Sequence, residues 1–437
     1  MHGYYFKLAL HNLRRNPWLT ALIVVAVALG IGSSMTVYSI LRAMASDPIP
    51  HKSARLFTPQ IDNLGPDNRR NGQPPDLLTY KDVVAFRNAK LGPRQAAMFE
   101  IAVSARAQDS RAAPVLAQGR ATHGDFFAMF DVPFRSGAAW TSADDESRAT
   151  VAVITAELAD RLFPGIDPVG RILQLEARDY RVVGVTKSWA PSPRFYDLSW
   201  GEGGGYEPAA EVFVPFETAV AQEIQSNGAL TCITYPGRTR AEFLASDCIW
   251  TQFWVELPDA ASVRRFRDFL NGYAAEQQRA GRFSWAPFTR LRNVTEWLEY
   301  KKVVPNEVRL ATLVAFGFLL VCLVNAAALM LARASRRSAE LNLRRALGAS
   351  RTALLAQGLW ESLAIGVVGA LAGLGLTVLG LRVLRNMVPE AIVRTTDVAP
   401  SIVALTILAG TVATVCAGMY PAWRSSRLAG SLQLKTL

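Results

Sequence analysis

Residues 18–41 read WLTALIVVAVALGIGSSMTVYSIL, 24 residues without a charged side chain. A helix needs about 20 apolar residues to cross the roughly 30 Å hydrocarbon layer of a bilayer, so this stretch suffices by itself. Three more stretches repeat the pattern. Leu310–Ala332 holds 23 uncharged residues, Thr352–Leu381 holds 30 with Glu361 as its one charge, and Val398–Trp423 holds 26. Soluble helices average about 11–12 residues, so four such runs do not suit a soluble core. A signal peptide is the other reading of the first run. Its apolar core would be shorter and would close on a small-x-small cleavage site, so the run is read as a retained anchor. The expected fold class is α+β: four transmembrane helices, one plus three, with a large mixed α/β extracytoplasmic domain inserted after the first.

The formal charge of +11 suggests nucleic acid until it is divided along the chain. Residues 45–305 carry 30 Lys/Arg against 31 Asp/Glu, while the rest carries 17 against 5. The excess belongs to the membrane part, which removes the case for a nucleic-acid partner. It also lies on one side of the spans. Lys7, Arg14 and Arg15 precede the first span, six arginines lie between the second and third, and Arg424, Arg427 and Lys435 follow the fourth. The positive-inside rule then puts both termini in the cytoplasm of a multi-pass bacterial inner-membrane protein. The expected map is an amphipathic cytoplasmic-side helix over 1–17 and spans over 18–44, 306–332, 352–381 and 398–423. An extracytoplasmic domain occupies 45–305, a basic cytoplasmic loop or helix 333–351, a short external loop 382–397 and a cytoplasmic tail 424–437. Lipid is the expected environment of the spans.

Within the external region, Thr150–Thr155 reads as a strand entering a helix over Ala156–Leu162. Arg171–Leu175 and Tyr180–Val185 read as paired strands, Glu211–Pro215 and Thr251–Leu257 as further strands, and Asp259–Gln278 as a helix. Phe283–Pro287 is expected to be a short strand, followed by a helix from Asn293 running down into the second span. A sheet covered on one face is the simplest layering. Trp189–Gly205, rich in Pro, Ser, Gly and aromatics, reads as an irregular loop that joins subdomains or faces a partner. Cys232 and Cys248 share a compartment that permits a disulfide, and sequence leaves their pairing open. Cys322 and Cys416 read as packing residues. Gly30, Gly32, Gly366, Gly369, Gly373 and Gly375 are close-approach positions, either between copies or within the chain. No Cys/His spacing suggests zinc, and His123 suits packing better than catalysis. Glu361 is a lone acid near the inner end of its span, able to pair with a loop arginine.

The densest signal is Arg333–Arg351, RASRRSAELNLRRALGASR. It is basic and helical in pattern, with Ala339, Leu343, Ala346 and Leu347 on one face and Gly348 as a stop. Such a helix between two spans can dock a soluble partner or merely anchor the loop.

Four segments in order resemble the permeases of the macrolide-exporter and lipoprotein-releasing type of ABC transporter, a family that includes FtsX. They are LALHNLRRNP from Leu8, GRATHGDFFAMFDVPFRSGAAW from Gly119 with VAVITAELADRLFPGIDPVGRIL from Val151, ELNLRRALGA from Glu340, and YPAWR from Tyr420. Asn342 stands where the family often has Gly, and the terminal GSLQLKTL lacks the usual Pro. The resemblance implies a periplasmic core domain and a coupling helix that meets an ATPase through Glu340, Leu341, Leu343, Arg344, Arg345, Leu347 and Gly348. The sequence holds no GxxxxGK[ST] phosphate loop. The resemblance therefore implies that ATP-Mg sits on a separate ATPase dimer and that this chain is non-catalytic and binds no cofactor. A second permease copy or a paralogue is expected beside it, and a periplasmic adaptor is a further partner. Efflux or extraction of a drug, peptide or lipoprotein is the expected role. An FtsX-like regulator of an extracytoplasmic enzyme or signalling partner is the alternative.

Overall fold

The computed structural model describes residues 16–108, 113–198, 205–206, 209–384 and 400–427. The amphipathic stretch over Tyr4–Arg15, most of the external loop over 382–397 and the tail beyond Arg427 lie outside these residues. The chain forms two units: Asp47–Val303, and the helices contributed from either side of it.

Among the described residues, Asp47–Val303 is built on one sheet of eleven strands. In chain order they are β1 Leu56–Ile61, β2 Leu78–Thr79, β3 Arg94–Ala107, β4 Val115–Thr122, β5 Phe134–Gly137 and β6 Val151–Thr155, then β7 Ile172–Leu175, β8 Arg178–Thr186, β9 Val212–Pro215, β10 Ile249–Glu256 and β11 Thr289–Asn293. The path across the sheet is β11-β1-β10-β3-β4-β9-β6-β8-β5, with β2 on β10 and β7 between β3 and β8. The pairs β4/β9 and β6/β8 are parallel and the rest antiparallel. The helix Ala156–Leu162 follows β6 directly, its first turn capped by the Thr155 hydroxyl.

The sheet differs from the one-face expectation. β1, β9 and β10 are buried at every position. Alternate β10 side chains show why. Phe253 meets Phe86 of the helix Tyr80–Asn88, while Trp254 meets Phe130 and Phe195. Trp189–Leu198 is irregular, as its composition indicates, yet from Ser192 to Leu198 it is core. Phe195, Tyr196 and Leu198 are each 1% exposed. Tyr196 stacks on Phe130 and Trp189. The Asp197 carboxylate pairs with buried Arg120, and with Arg194 at 3.3 Å. Burial pushes the Asp197 carboxyl up, but Arg120, then a hydrogen bond with Glu100 and the Arg194 charge, hold it below the usual carboxylate range. Trp297 Nε1 donates to the Phe195 carbonyl at 3.0 Å, so this irregular backbone finds partners without water.

Two local expectations are displaced. Phe283–Pro287 carries no strand, and the strand starts after Pro287, whose missing N–H cannot enter a ladder. There the backbone is held by Trp285 Nε1, which donates to Asp62 O at 3.0 Å. The helix expected to run into the second span is broken. Val294–Tyr300 ends at Lys301, Lys302 adopts φ +46°, and Pro305 starts a new helix over Asn306–Arg336. Pro305 fixes its own φ and disfavours helix at Val304, so the two helices cannot merge. Cys232 and Cys248 form a disulfide that staples the segment between them.

Among the described residues, the second unit holds four helices long and apolar enough to cross a membrane: Pro17–Met44, Asn306–Arg336, Arg351–Leu384 and Pro400–Arg427. We call them spans one to four. Span three packs along spans one and four, and span two along span one. Glycines let them approach. A methyl on Gly373 would fall 2.9 Å from Ile31 Cβ, one on Gly369 2.7 Å from Val27 Cγ1, and one on Gly32 2.7 Å from Leu376 Cβ. Gly30 likewise meets Cys322 of span two, and Gly366 meets Thr411 of span four. Of the six glycines read as close-approach positions, five are occupied by packing within the chain. Only around Gly375 is there open space within 4 Å.

Candidate functional site

Span two ends at Arg336, and a separate helix covers Ser338–Ala346 before span three begins at Arg351. Gly348 stops it at φ +95°, a left-handed conformation that any Cβ would strain. Leu347 N and Ala349 N bond back to the carbonyls of Leu343 and Arg344 at 3.0 Å each.

The helix has two faces with different roles. Its inner face is polar and tied to its own chain. Arg344 Nη2 lies 2.9 Å from Glu340 Oε1, one helical turn away, and Arg344 Nη1 donates to Gln357 Oε1 at 3.2 Å. Gln357 Nε2 donates to Glu361 Oε1 at 3.4 Å. Arg337 Nη1 reaches that same oxygen at 3.5 Å. Behind these groups lies a cleft closed by Met330, Leu354 and Ile365, into which Leu341 also faces. The outer face is apolar and bare. Leu343 is 61% exposed and Leu347 80%, with Ala339 and Ala346 exposed beside them.

The seven residues singled out from sequence therefore divide. Glu340, Leu341 and Arg344 turn inward, Leu343 and Leu347 outward, and Gly348 forms the stop. The Arg345 side chain lies outside the described residues. Arg344 is engaged within the chain, and among the described side chains Leu343 and Leu347 lie open. Sequence reasoning missed Gln357. Its signal was present: it stands four residues before Glu361, one turn along the same face of span three. Gln357 ties the short helix to span three through Arg344, and Glu361 holds Arg337 just before that helix.

Elsewhere the buried ionisable groups are structural. His123 is 1% exposed and stacks on Phe216. Burial, then the nearby Arg87 charge, hold its imidazole well below the usual range and so neutral. Asp82 is buried with Arg282 Nη1 at 2.6 Å and Tyr273 Oη at 2.9 Å. Burial alone would raise its pKa, but Arg282, Thr79 and Tyr273 together lower it. Among the described residues no group of three His, Cys, Asp or Glu side chains could hold a metal.

Two family models cover most of the chain. Residues 20–272 match the MacB-like periplasmic core domain, and residues 312–429 match the FtsX-like permease C-terminal domain. The chain belongs to the MacB/FtsX family of permeases. A macrolide export ATP-binding/permease protein MacB from Azoarcus sp. (strain BH72) is 24% identical over 84% of this chain and 50% of its own length. The corresponding protein of Rhodospirillum rubrum is 25% identical over 86% of this chain and 52% of its own. The chain thus spans about half the length of the curated relatives it matches. The solved periplasmic region of MacB from Actinobacillus actinomycetemcomitans superposes with a TM-score of 0.38 at 12% identity, covering 60% of this chain and 99% of that one. A MacB/FtsX-type permease with one span, a large α+β insertion and three further spans accounts for the order of every element described above.

Proposed function

We propose that this permease works with a separate ATPase, which docks on the Ser338–Ala346 helix and moves the Asp47–Val303 domain through the spans. The observation that carries this reading is the bare Leu343/Leu347 face. A helix that served only to anchor the loop would turn its leucines inward and its arginines out. Here Arg337 and Arg344 are tied to span three while Leu343 and Leu347 are left for a partner, where apolar anchors supply most of the affinity. The charge asymmetry supports an orientation with both termini and this helix in the cytoplasm and the α+β domain outside a bacterial inner membrane. A disulfide in that domain suits an oxidising compartment. In this reading ATP-Mg is bound by the ATPase dimer, and a second copy or a paralogue completes the pair of permeases. The spans are bathed in lipid, and a periplasmic adaptor joins the external domain where the substrate leaves the cell. The work is efflux or extraction of a drug, peptide or lipoprotein.

The test is co-purification from native membranes. Leu343→Ser with Leu347→Ser should lower ATPase recovery by about tenfold or more. Arg337→Ala, on the inner face, should lower it less. Equal recovery with all variants would remove the docking assignment, and recovery of a sensor kinase in place of an ATPase would replace it with a regulatory role.

A further inference from the structure

Among the described residues, β11 ends the sheet and pairs only with β1. Its register decides what its other side presents. Asp62 N donates to Phe288 O at 3.0 Å, so that opposed pair is a hydrogen-bonded one. Such pairs alternate along an antiparallel ladder. Arg290 and Arg292 therefore bond to Gln60 and Thr58, while Thr289 and Leu291 turn their N–H and C=O groups away from β1.

That free side opens on a groove of about 620 Å³ beside the helix Ala260–Arg279, lined by Arg267, Leu270, Asn271, Phe288, Arg290 and Arg292 among others. Its charge is one-sided. Glu296 is the single carboxylate in the lining and is occupied capping its own helix at Asn293. Among the described residues Arg267, Arg290 and Arg292 make no ion pair. Arg290 and Arg292 are held in place by neutral groups. Arg292 Nη2 donates to Gln73 Oε1 at 2.6 Å, and the two guanidiniums lie 4.1 Å from the Phe288 and Tyr300 ring centres. Burial is the main cause that depresses the Arg292 pKa, with the Arg290 charge adding to it and Tyr300, Asp76 and Glu296 opposing it.

We propose that this edge docks an extended acidic polypeptide segment of a partner protein, which adds to β11 as a further strand with its carboxylates in reach of Arg267, Arg290 and Arg292. Strand addition gives affinity through main-chain bonds and specificity through side chains. The alternative anion, a phosphate or lipid headgroup, would use the arginines but not the edge. It has no regular run of donors and acceptors to match the outward N–H and C=O groups of Thr289 and Leu291, whereas an extended peptide backbone has. Charged side chains also guard edge strands against pairing, and arginines guard this one least against an acidic strand. The proposal rests on the α+β domain alone and is independent of the ATPase reading.

The test uses the full chain in detergent micelles and a fluorescein-labelled Glu-Val-Glu-Val-Glu-Val peptide, followed by anisotropy. Saturable binding is expected, weakened about tenfold or more by Arg267→Glu with Arg290→Glu. Both arginines are exposed, so the fold should tolerate the change. Peptides N-methylated on the valines or on the glutamates keep their charge but lose one alternate set of donors, and at least one of them should fail to bind. The proposal is overturned if neither methylation matters, if phosphatidylglycerol vesicles show the same Arg290 dependence in place of the peptide, or if the peptide does not bind.

Discussion

Arg282 and Arg344 are both paired arginines, but the two units use them differently. The Arg282 side chain is 7% exposed and faces Asp82 at 0%, with Asp247 2.8 Å away and Asn63 and Thr79 accepting further bonds. Arg344 and Glu340 are each 31% exposed and lie on one short helix. The first arrangement joins segments about 200 residues apart in sequence and leaves each charge too deep to solvate alone. The second sits where water can replace either partner, so it orients a helix at little energetic depth. One region is built to stay as it is, and the other is held lightly.

Removing one partner of the deep pair should have the largest effect. Arg282→Ala leaves Asp82 charged and buried and should cost about 3–5 kcal/mol, measured by denaturant unfolding of the full chain. A loss no larger than that of a surface Arg→Ala change would contradict the contrast. Asp145 sharpens it through pH. Burial is the main cause that raises its carboxyl from 3.8 to about 6, against the bonds from Gly124 N–H and Trp140 Nε1. A raised carboxyl pKa means the folded state holds the proton more tightly. Its contribution is therefore fully present below pH 3.8 and falls away as pH rises through about 6. Asp145→Asn should remove that slope, so melting curves of mutant and parent diverge by on the order of 2 kcal/mol between acidic and neutral pH. Parallel curves would show that Asp145 titrates normally. A smaller effect is expected from Glu361→Gln, which weakens the seat of Arg337 by about 1 kcal/mol. Hydrogen exchange should then speed up over Ser338–Ala346 and not in span three. Smallest of all on stability is Leu343→Ser with Leu347→Ser, expected within about 0.5 kcal/mol because both side chains are exposed. A large loss of stability would mean that the bare face packs on something in this chain.

The spans were legible because a membrane helix needs only local composition. The strand-to-helix unit at Val151–Leu162 was legible because its pattern changes period at Thr155. The apolar face of the Ser338–Ala346 helix could be read from spacing, but which face turns inward could not, since that depends on Gln357 and Glu361 in another element. The burial of Phe195–Leu198 was hidden for the same reason. Proline, serine and glycine report that a backbone is irregular, and they say nothing about Phe126, Phe130 and Trp254 waiting to enclose it. Pro287 could have placed the start of β11 more accurately, because the rule that keeps proline out of a ladder is local.

The glycines of span three set a limit on how this chain can drift. Gly369 and Gly373 each face a β-branched side chain of span one at a distance where one added carbon has no room, while Gly375, two positions along, faces empty space. Substitution here should be punished by phase and not by residue type. A saturation library of span three should show alanine rejected at 369 and 373 and accepted at 375, so that viable sequences would trace the packing seam as a stripe of forbidden letters on an otherwise permissive helix.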